Sequence, residues 1–542
     1  MKKKQWVTVL LILAVSMMTI LSGCSSNKDN DKKKTAKEVN TQVDDSGKVN
    51  GLMYKEGLPI VDPGDYSFSI FTDGDKTTDD FYLMPVLKEQ TGIDVDVQLF
   101  SYEVAKERYS LALNSGDYAD CIGGWVLSST DILKFGVDMG TFIPLEDYFE
   151  AFAPNISAVL ELEGVREKMT APDGHIYSIP YVLAAPEVDF NPYINTRWLE
   201  NLGLEVPQTT EDLKKVLTAF KEKDANGNGD TDDEIPFSFS PDNKNIGYMA
   251  GYFGMSLNEY GFTMVGDELV FGANQEPYKD IIMYMSDLYK NGLLDQEMFT
   301  QDAAQWKAKG GQDLYGVCMM YGSGDIMPYE AGETPDWIPL PVLSSEKCDE
   351  PVWFRDTYGT TVLKNQVVVT DNAKNPEAIV RWWDNLFELE NSIQTNGGPL
   401  GIALHKKDNG YEINQTNMTQ EEKDTYSWIN LFPQSLPRYI PTDFKFLENP
   451  PSYPEKDKVD EAYAPYLLEK IIPPYWATLE ESSSLSELQT SITDYITEKT
   501  AEWIAGQADV EAEWDSYLKQ LNKLKLDDYI QIRQNAIKAS KN

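Results

Sequence analysis

Apolar positions along this chain fall into two spacings, alternating and helical, and their order predicts the first folded unit. Tyr66-Ser67-Phe68-Ser69-Ile70-Phe71 alternates large apolar with small polar residues, the pattern of a strand. Phe81, Leu83, Val86 and Leu87 then recur at helical spacing over residues 79–90, with Thr91-Gly92 as the stop and Pro85 predicting a kink. Ile93-Asp94-Val95-Asp96-Val97 alternates again, a second helix runs over 104–114 to Ser115-Gly116-Asp117, and residues 119–123 make a third strand. Strand–helix–strand–helix–strand with short links is an α/β unit with parallel strands, and ligands of such units lie beyond the carboxyl ends of the strands. That places a candidate site at Phe71-Thr72-Asp73 and Gly124-Trp125.

The pattern continues through a turn at Pro172-Asp173-Gly174 into the strand-like His175-Ile176-Tyr177-Ser178-Ile179-Pro180-Tyr181. Helices are predicted around Trp198, over 211–221 behind the cap Thr210, over 278–291 and over 303–309, with a strand at 315–320. Several strands broken by Pro339, Pro341 and Pro351 lie between 334 and 369, and Pro376 opens an apolar helix to about 387, whose Trp382 and Trp383 read as core. The C-terminal third is mostly helical and amphipathic from 484 onward, and no internal repeat is visible.

The N-terminus has a different pattern. Lys2-Lys3-Lys4 precede an apolar run of 16 residues from Trp6 to Leu21, shorter than the roughly 20 that span a bilayer. A basic start, an apolar core and small residues before a cut are the parts of a secretion signal. Leu21-Ser22-Gly23-Cys24 resembles the lipobox of bacterial lipoproteins, which implies removal of residues 1–23 and acylation of Cys24. Residues 24–62 then read as a lipidated flexible tether, and two acyl chains hold the protein stably on the extracellular face of the cell membrane.

Charge narrows the partners. Of 47 basic side chains the signal removes three lysines and no acid, leaving 44 against 88 acids, a formal −44. So acidic a surface repels nucleic acid phosphates and anionic headgroups, so neither is an expected partner. At 42% hydrophobic residues, about 480 positions beyond the tether bury a large core and split into at least two domains. Cys121 and Cys318 sit in apolar strand-like runs and read as buried small hydrophobes, while a Cys318–Cys348 pair stays open.

Six segments in fixed order carry a resemblance. Leu113-Asn114-Ser115-Gly116-Asp117-Tyr118-Ala119-Asp120, Gly140-Thr141-Phe142-Ile143-Pro144-Leu145 with Pro154-Asn155, Asp173-Gly174-His175-Ile176-Tyr177-Ser178-Ile179-Pro180, Trp198-Leu199-Glu200-Asn201-Leu202-Gly203, Asn375-Pro376-Glu377-Ala378-Ile379-Val380-Arg381-Trp382-Trp383 and Glu511-Ala512-Glu513-Trp514-Asp515-Ser516-Tyr517 resemble landmarks of the extracellular solute-binding lipoproteins of bacterial ABC importers, in their large carbohydrate-associated branch. The resemblance implies a class II periplasmic-binding-protein-like α/β fold, two α/β lobes joined by crossover strands around a solute cleft. It assigns residues 63–182 and 338–372 to lobe 1, and 183–337 and 373–542 to lobe 2. It also implies a monomer that captures a carbohydrate of oligosaccharide size and delivers it to permease subunits.

Asp224-Ala225-Asn226-Gly227-Asn228-Gly229-Asp230-Thr231-Asp232-Asp233-Glu234 carries oxygen side chains at alternate positions with a glycine at the sixth, like the first half of an EF-hand. Position 12 is Ile235, so the closing carboxylates are Asp232 or Asp233 with Glu234. The set Asp224, Asn226, Asn228, Asp230, Asp232, Asp233 and Glu234 is therefore a candidate structural calcium site, since crowded carboxylates without a cation repel one another. For a sugar, flat aromatic faces with a few directed polar groups are needed, and Phe71, Trp125, Tyr181, Tyr321, and Trp353 with Arg355 and Asp356 are the candidates. His175 and His405 are the sole histidines and lie far apart in sequence, no Cys-x-x-Cys or phosphate loop occurs, and Gly322-Ser323-Gly324 lacks the spacing of a nucleophile elbow. Carboxylate pairs are too abundant to mark a glycosidase, so no catalytic residue is assigned; a glycan-active enzyme and a sensor uncoupled from transport are the alternative readings.

Overall fold

The computed structural model describes residues 39–74, 80–241, 245–326, 336–355, 357–408, 410–415, 417–441, 444 and 456–540; Cys24 and Asp356 lie outside them. Ten strands matter for the site: β1 (Ser67–Asp73), β2 (Asp94–Phe100), β3 (Cys121–Gly123), β4 (Ser178–Ala184), β5 (Asn191–Asn195), β6 (Ile235–Phe239), β7 (Tyr315–Met320), β8 (Trp337–Pro339), β9 (Thr360–Val369) and β10 (Tyr439–Ile440). They form a six-stranded sheet in the order β10-β4-β9-β3-β1-β2 and a four-stranded sheet in the order β8-β5-β7-β6.

Strand directions fix where the two sheets meet. In the first sheet β1 runs parallel to β2 and β3, β10 runs parallel to β4, and β9 is antiparallel to both β3 and β4. Five carboxyl ends, at Asp73, Phe100, Gly123, Ala184 and Ile440, therefore share one edge. In the second sheet β7 is parallel to β6 and antiparallel to β5, which is antiparallel to β8, so Phe239, Met320 and Pro339 share an edge with Asn191 at the start of β5. The chain passes between these two edges three times, from Ala184 to Asn191, from Pro339 to Thr360, and from Ile440 onward to Lys456. The result is two α/β lobes whose strand ends face each other across crossovers, the two-lobe class that the sequence resemblance implies.

Alternation along the strands sorts side chains between cores. Phe68, Ile70 and Cys121 enter one core of the first sheet, Phe71 and Ile122 the core on its other face. A larger core fills the second lobe and takes in the C-terminal helices Leu479–Ile504, Val510–Lys523 and Leu526–Ser540. Pro85 does not kink its helix, because the helix begins at Leu83 and proline sits in the first turn, where an N–H has no partner within the helix.

Three of the sequence-derived boundaries need correction. The tether assigned to 24–62 is folded from residue 39, where Lys48–Val49 pairs with Met53–Tyr54, and Val49, Met53, Ile60 and Val61 are fully buried in the first lobe. Four apolar residues scattered among polar ones show no periodicity, yet together they anchor the segment. The helix Pro376–Leu386, assigned to lobe 2, buries Ile379, Trp382 and Trp383 in the core of lobe 1 beside Phe68, whose ring lies 5.5 Å from Trp382. Residues 338–359, assigned to lobe 1, instead bury Leu340, Leu343, Trp353 and Phe354 in the second core, and the chain re-enters the first sheet at Thr360.

Candidate functional site

The wall on the first lobe is built at the ends of β1 and β3. The Asp73 carboxylate accepts the Val126 N–H at 3.2 Å, bending the chain just after β3. Gly124 makes this bend possible: its φ is +103°, and a Cβ there would stand 2.1 Å from Asp73 Oδ1. The turn leaves the Trp125 ring 49% exposed at the strand-end edge. Phe71, the other aromatic predicted here, belongs to the core; it is buried against Phe100 with ring centroids 5.1 Å apart. Two residues before the end of β1, its side chain enters the core on one sheet face rather than leaving the edge.

Sequence reasoning missed the segment that closes this wall. Ser435 donates from Oγ to the Asp73 carbonyl at 2.6 Å and lies 3.1 Å from Thr72 Oγ1. Three residues on, the Arg438 guanidinium is 1% exposed, donating to Asn396 Oδ1, Gln434 Oε1 and the carbonyls of Pro433 and Gln434. It also lies 5.5 Å from the ring of Tyr181, a predicted site residue that proves nearly buried. Gln434 in turn donates to the carbonyl of Trp428, whose ring is 60% exposed. Nothing periodic marks residues 428–438, so the segment is recognisable only from the strand ends it crosses.

On the second lobe Tyr321 directly follows β7. Its carbonyl accepts from the Tyr193 hydroxyl at 3.0 Å and from Lys456 Nζ at 2.9 Å, and its ring lies 4.1 Å from that ammonium and edge-on to Phe190 at 6.0 Å. Burial, with Asp189, Asp325 and Asp460 nearby, pushes the Tyr321 hydroxyl up to about 12. Arg355 sits on the second crossover, paired with Glu187 of the first at 2.5 Å and over the Tyr358 ring at 4.9 Å. Trp353 is a correction: it is 0% exposed, stacked with Tyr248 and edge-on to Tyr463 at 5.1 Å, and contributes to the core rather than to a solute surface. The structure thus brings Trp125, Tyr321 and Arg355 to the facing edges and removes Phe71 and Trp353 from them.

The loop at 224–234 follows the helix Thr210–Glu222 and leads into β6. Gly227 and Gly229, at φ +78° and +94°, allow it to coil. Oxygens of Asp224, Asn226, Asn228 and Asp230 accept the backbone N–H groups of Gly229, Asn228, Asp230 and Asp232 at 2.7–3.1 Å. The Asn226 and Asn228 side-chain amides both donate to the Asp233 carboxylate, and Glu234 Oε1 accepts the Ala225 N–H at 2.8 Å. Asp224 Oδ1 and Glu234 Oε2 are buried with no hydrogen-bond partner, and burial holds the Glu234 carboxyl above its ordinary range. Among the described residues no three acidic, histidine or cysteine side chains are grouped as a metal centre. The two partnerless oxygens, with short Asx oxygens between them, are nonetheless a hard-oxygen donor set suited to Ca²⁺.

Outside the loop, Arg197 braces its start, donating to the Asn226 carbonyl at 3.0 Å while pairing with Asp313 and Asp336. The three cysteines among the described residues are free, with Cys121 and Cys318 buried.

No family model matches the chain. Its sequence is 30% identical over 476 residues to the fructooligosaccharide ABC transporter substrate-binding protein FusA of Streptococcus pneumoniae, covering 83% of this chain and 85% of that one. The chain belongs to the carbohydrate-associated substrate-binding proteins of bacterial ABC transporters. The solved structure of FusA in complex with kestose superposes with a TM-score of 0.76 at 27% identity, over 88% of this chain and 99% of that one; an EF-hand mutant of FusA bound to fructo-nystose gives 0.75 at 28%, over the same shares. A more distant relative is the polygalacturonan/rhamnogalacturonan-binding protein YtcQ of Bacillus subtilis, 22% identical over 469 residues, 84% of this chain and 88% of that one. These relatives are substrate-binding proteins rather than enzymes. Among the described residues no helix is long and apolar enough to cross a membrane.

Proposed function

We propose that this chain captures an oligosaccharide between its two lobes and delivers it to the permease subunits of an ABC importer. The observation that carries the reading is the facing of two sets of strand ends across three crossovers, with the half-exposed Trp125 on one edge and Tyr321 on the other. Flat rings on opposing walls suit a chain of sugar rings, which present apolar faces between their hydroxyl groups. Trp125, Tyr181, Tyr321 and Arg355 are the solute residues retained here, with Trp428 added. The activity is binding without turnover, and the protein works as a monomer.

Two further parts belong to this reading. A diacylated Cys24 tethers the trap beside the permease, as the lipobox resemblance implies. Asp224, Asn226, Asn228, Asp230, Asp233 and Glu234 hold a calcium ion, with Asp232 as the alternative closing carboxylate, and the FusA EF-hand mutant supports such a site in the family. There the ion supplies charge compensation alone, and the loop's own residues set the path from the helix Thr210–Glu222 into β6.

The test is calorimetric titration of the secreted chain with a panel of oligosaccharides that includes kestose. Micromolar or tighter binding with no change in the sugar afterwards is expected; no binding to any oligosaccharide, or hydrolysis, overturns the reading. Cys24→Ala should move the protein from the membrane fraction into the medium.

A further inference from the structure

Between Tyr466 and Leu479 the chain makes an excursion that neither sheet requires. It leaves lobe 2 beside Trp353, whose N–H donates to the Tyr466 carbonyl at 2.7 Å and whose carbonyl accepts the Leu468 N–H at 3.0 Å. It then passes the second crossover at Tyr358, whose hydroxyl accepts the Ile471 N–H at 3.2 Å and donates to the Glu469 carbonyl at 3.4 Å. It reaches lobe 1 at β9, where Lys364 Nζ donates to the Tyr475 carbonyl at 2.8 Å. There the Trp476 side chain, 9% exposed, enters the lobe 1 core that holds Ile122 and Val368, and its Nε1 donates to the Lys168 carbonyl at 3.2 Å. One residue later Ala477 is back in the core of lobe 2. Residues 466–475 thus run alongside 353–364 from one lobe to the other, attached at the start, the middle and the end.

A second segment fastened along a crossover resists its bending. Pro473 and Pro474 stiffen the far half of this one, since proline fixes φ and offers no N–H to a competing turn. The end at Trp476 is also held from lobe 2, where its backbone N–H donates to Ser540 Oγ at 3.2 Å in the last helix, Leu526–Ser540. Rotation of one lobe on the other therefore strains a segment pinned at both ends, or draws the indole out of its core and into water. On these grounds we propose that residues 466–476 are a splint on the second crossover, plugged into lobe 1 by Trp476, which restricts the angle between the lobes when no solute is bound. Without the splint the lobes sample more angles, and a solute that needs both walls at once finds the competent angle less often.

Spin labels test it by double electron–electron resonance between Leu111→Cys on lobe 1 and Val265→Cys on lobe 2, both exposed positions. The parent carries Cys24→Ala and Cys348→Ser, and its buried Cys121 and Cys318 escape the label. The sugar-free parent gives a narrow distance distribution, and Trp476→Ala broadens it. Trp476→Phe keeps an aromatic plug and recovers most of the narrowness. Tyr358→Phe removes only the hydroxyl between crossover and splint, from a ring that is half exposed, so it broadens the distribution while the melting temperature stays that of the parent. Distributions as narrow in Trp476→Ala and Tyr358→Phe as in the parent overturn the splint. A parent distribution already as broad as theirs overturns it too. If Trp476→Ala melts early, Tyr358→Phe decides alone. Kestose affinity falls roughly 3- to 10-fold in Trp476→Ala, the factor by which the competent population drops, and equal affinity in the two proteins also overturns the proposal. No kestose binding by the parent counts against the oligosaccharide reading, and the sugar-free distances then decide the splint by themselves.

Discussion

Trp125 and Trp353 are the same side chain in opposite settings, and the difference makes them separable by mutation. Trp125 stands on a turn that a glycine and a buried aspartate create, with half its surface open. Trp353 is enclosed by Tyr248, Tyr252 and Tyr463 and has no surface at all. Trp125→Ala should therefore cost about 1–3 kcal/mol of sugar affinity through lost stacking and burial, with the melting temperature of the free protein unchanged. Trp353→Ala should cost about 3–5 kcal/mol of stability, through lost transfer energy and the cavity left behind. Titration and thermal melts of both variants check the pair, and a stability loss at Trp125 would place that ring in the core. In the sequence both are tryptophans in strand-rich stretches. What distinguishes them is the fold of residues remote in the chain, since the rings around Trp353 come from positions about 100 residues to either side.

At the scale of an element, the loop 224–234 was legible to a degree the cleft was not. Alternating Asx residues and glycines dictate its coil directly, because each short side chain can reach a backbone N–H two residues on. Its partnerless Asp224 Oδ1 and Glu234 Oε2 belong to the two ends of the loop, so a cation between them links the helix before it to the strand after it. Calcium should consequently stabilise the fold by mass action, on the order of 3 kcal/mol at a hundredfold excess over its dissociation constant. Chelator should lower the melting temperature of wild type by several degrees, and Asp224→Ala should abolish the difference between chelated and calcium-loaded protein. Coincident wild-type melts would remove the ion from the account. The crossover 340–359, by contrast, reads as strands in the sequence because proline-punctuated apolar runs look alike whether they cross a sheet or link two.

Over the whole molecule, the segment that leads into the C-terminal helices also packs on the first lobe. Trp476 is buried in a core of the first sheet, while Ala477 and Leu485 just beyond it belong to the second core. Lys364, at the irregularity of β9 between Leu363 and Val367, donates from Nζ to the Tyr475 carbonyl at 2.8 Å and lies 3.7 Å from the Trp476 ring. Burial first, and Lys168 second, push the Lys364 ammonium down to about 7. An unfolded lysine titrates near 10.4, so between pH 7 and 10 the unfolded chain binds the proton more tightly and the folded state gains stability as pH rises. Below pH 7 both states are protonated and the cost is constant. Lys364→Met removes this titration, so the stability of the variant relative to wild type should fall from pH 7 to pH 10, by up to about 4 kcal/mol if the full interval is realised. Denaturant midpoints across that range measure it; parallel profiles would contradict a buried titrating lysine. The sequence by itself determined the family order of motifs, the first α/β unit and the coil of residues 224–234, because each depends on residues close together in the chain. Only the tertiary structure decided which aromatics are buried in the cores, that residues 376–386 pack on the first lobe, and that Tyr321 and Lys456 meet. Those outcomes depend on three passages between two sheets, and alternation or helical spacing carries no information about which distant edge a strand end will face.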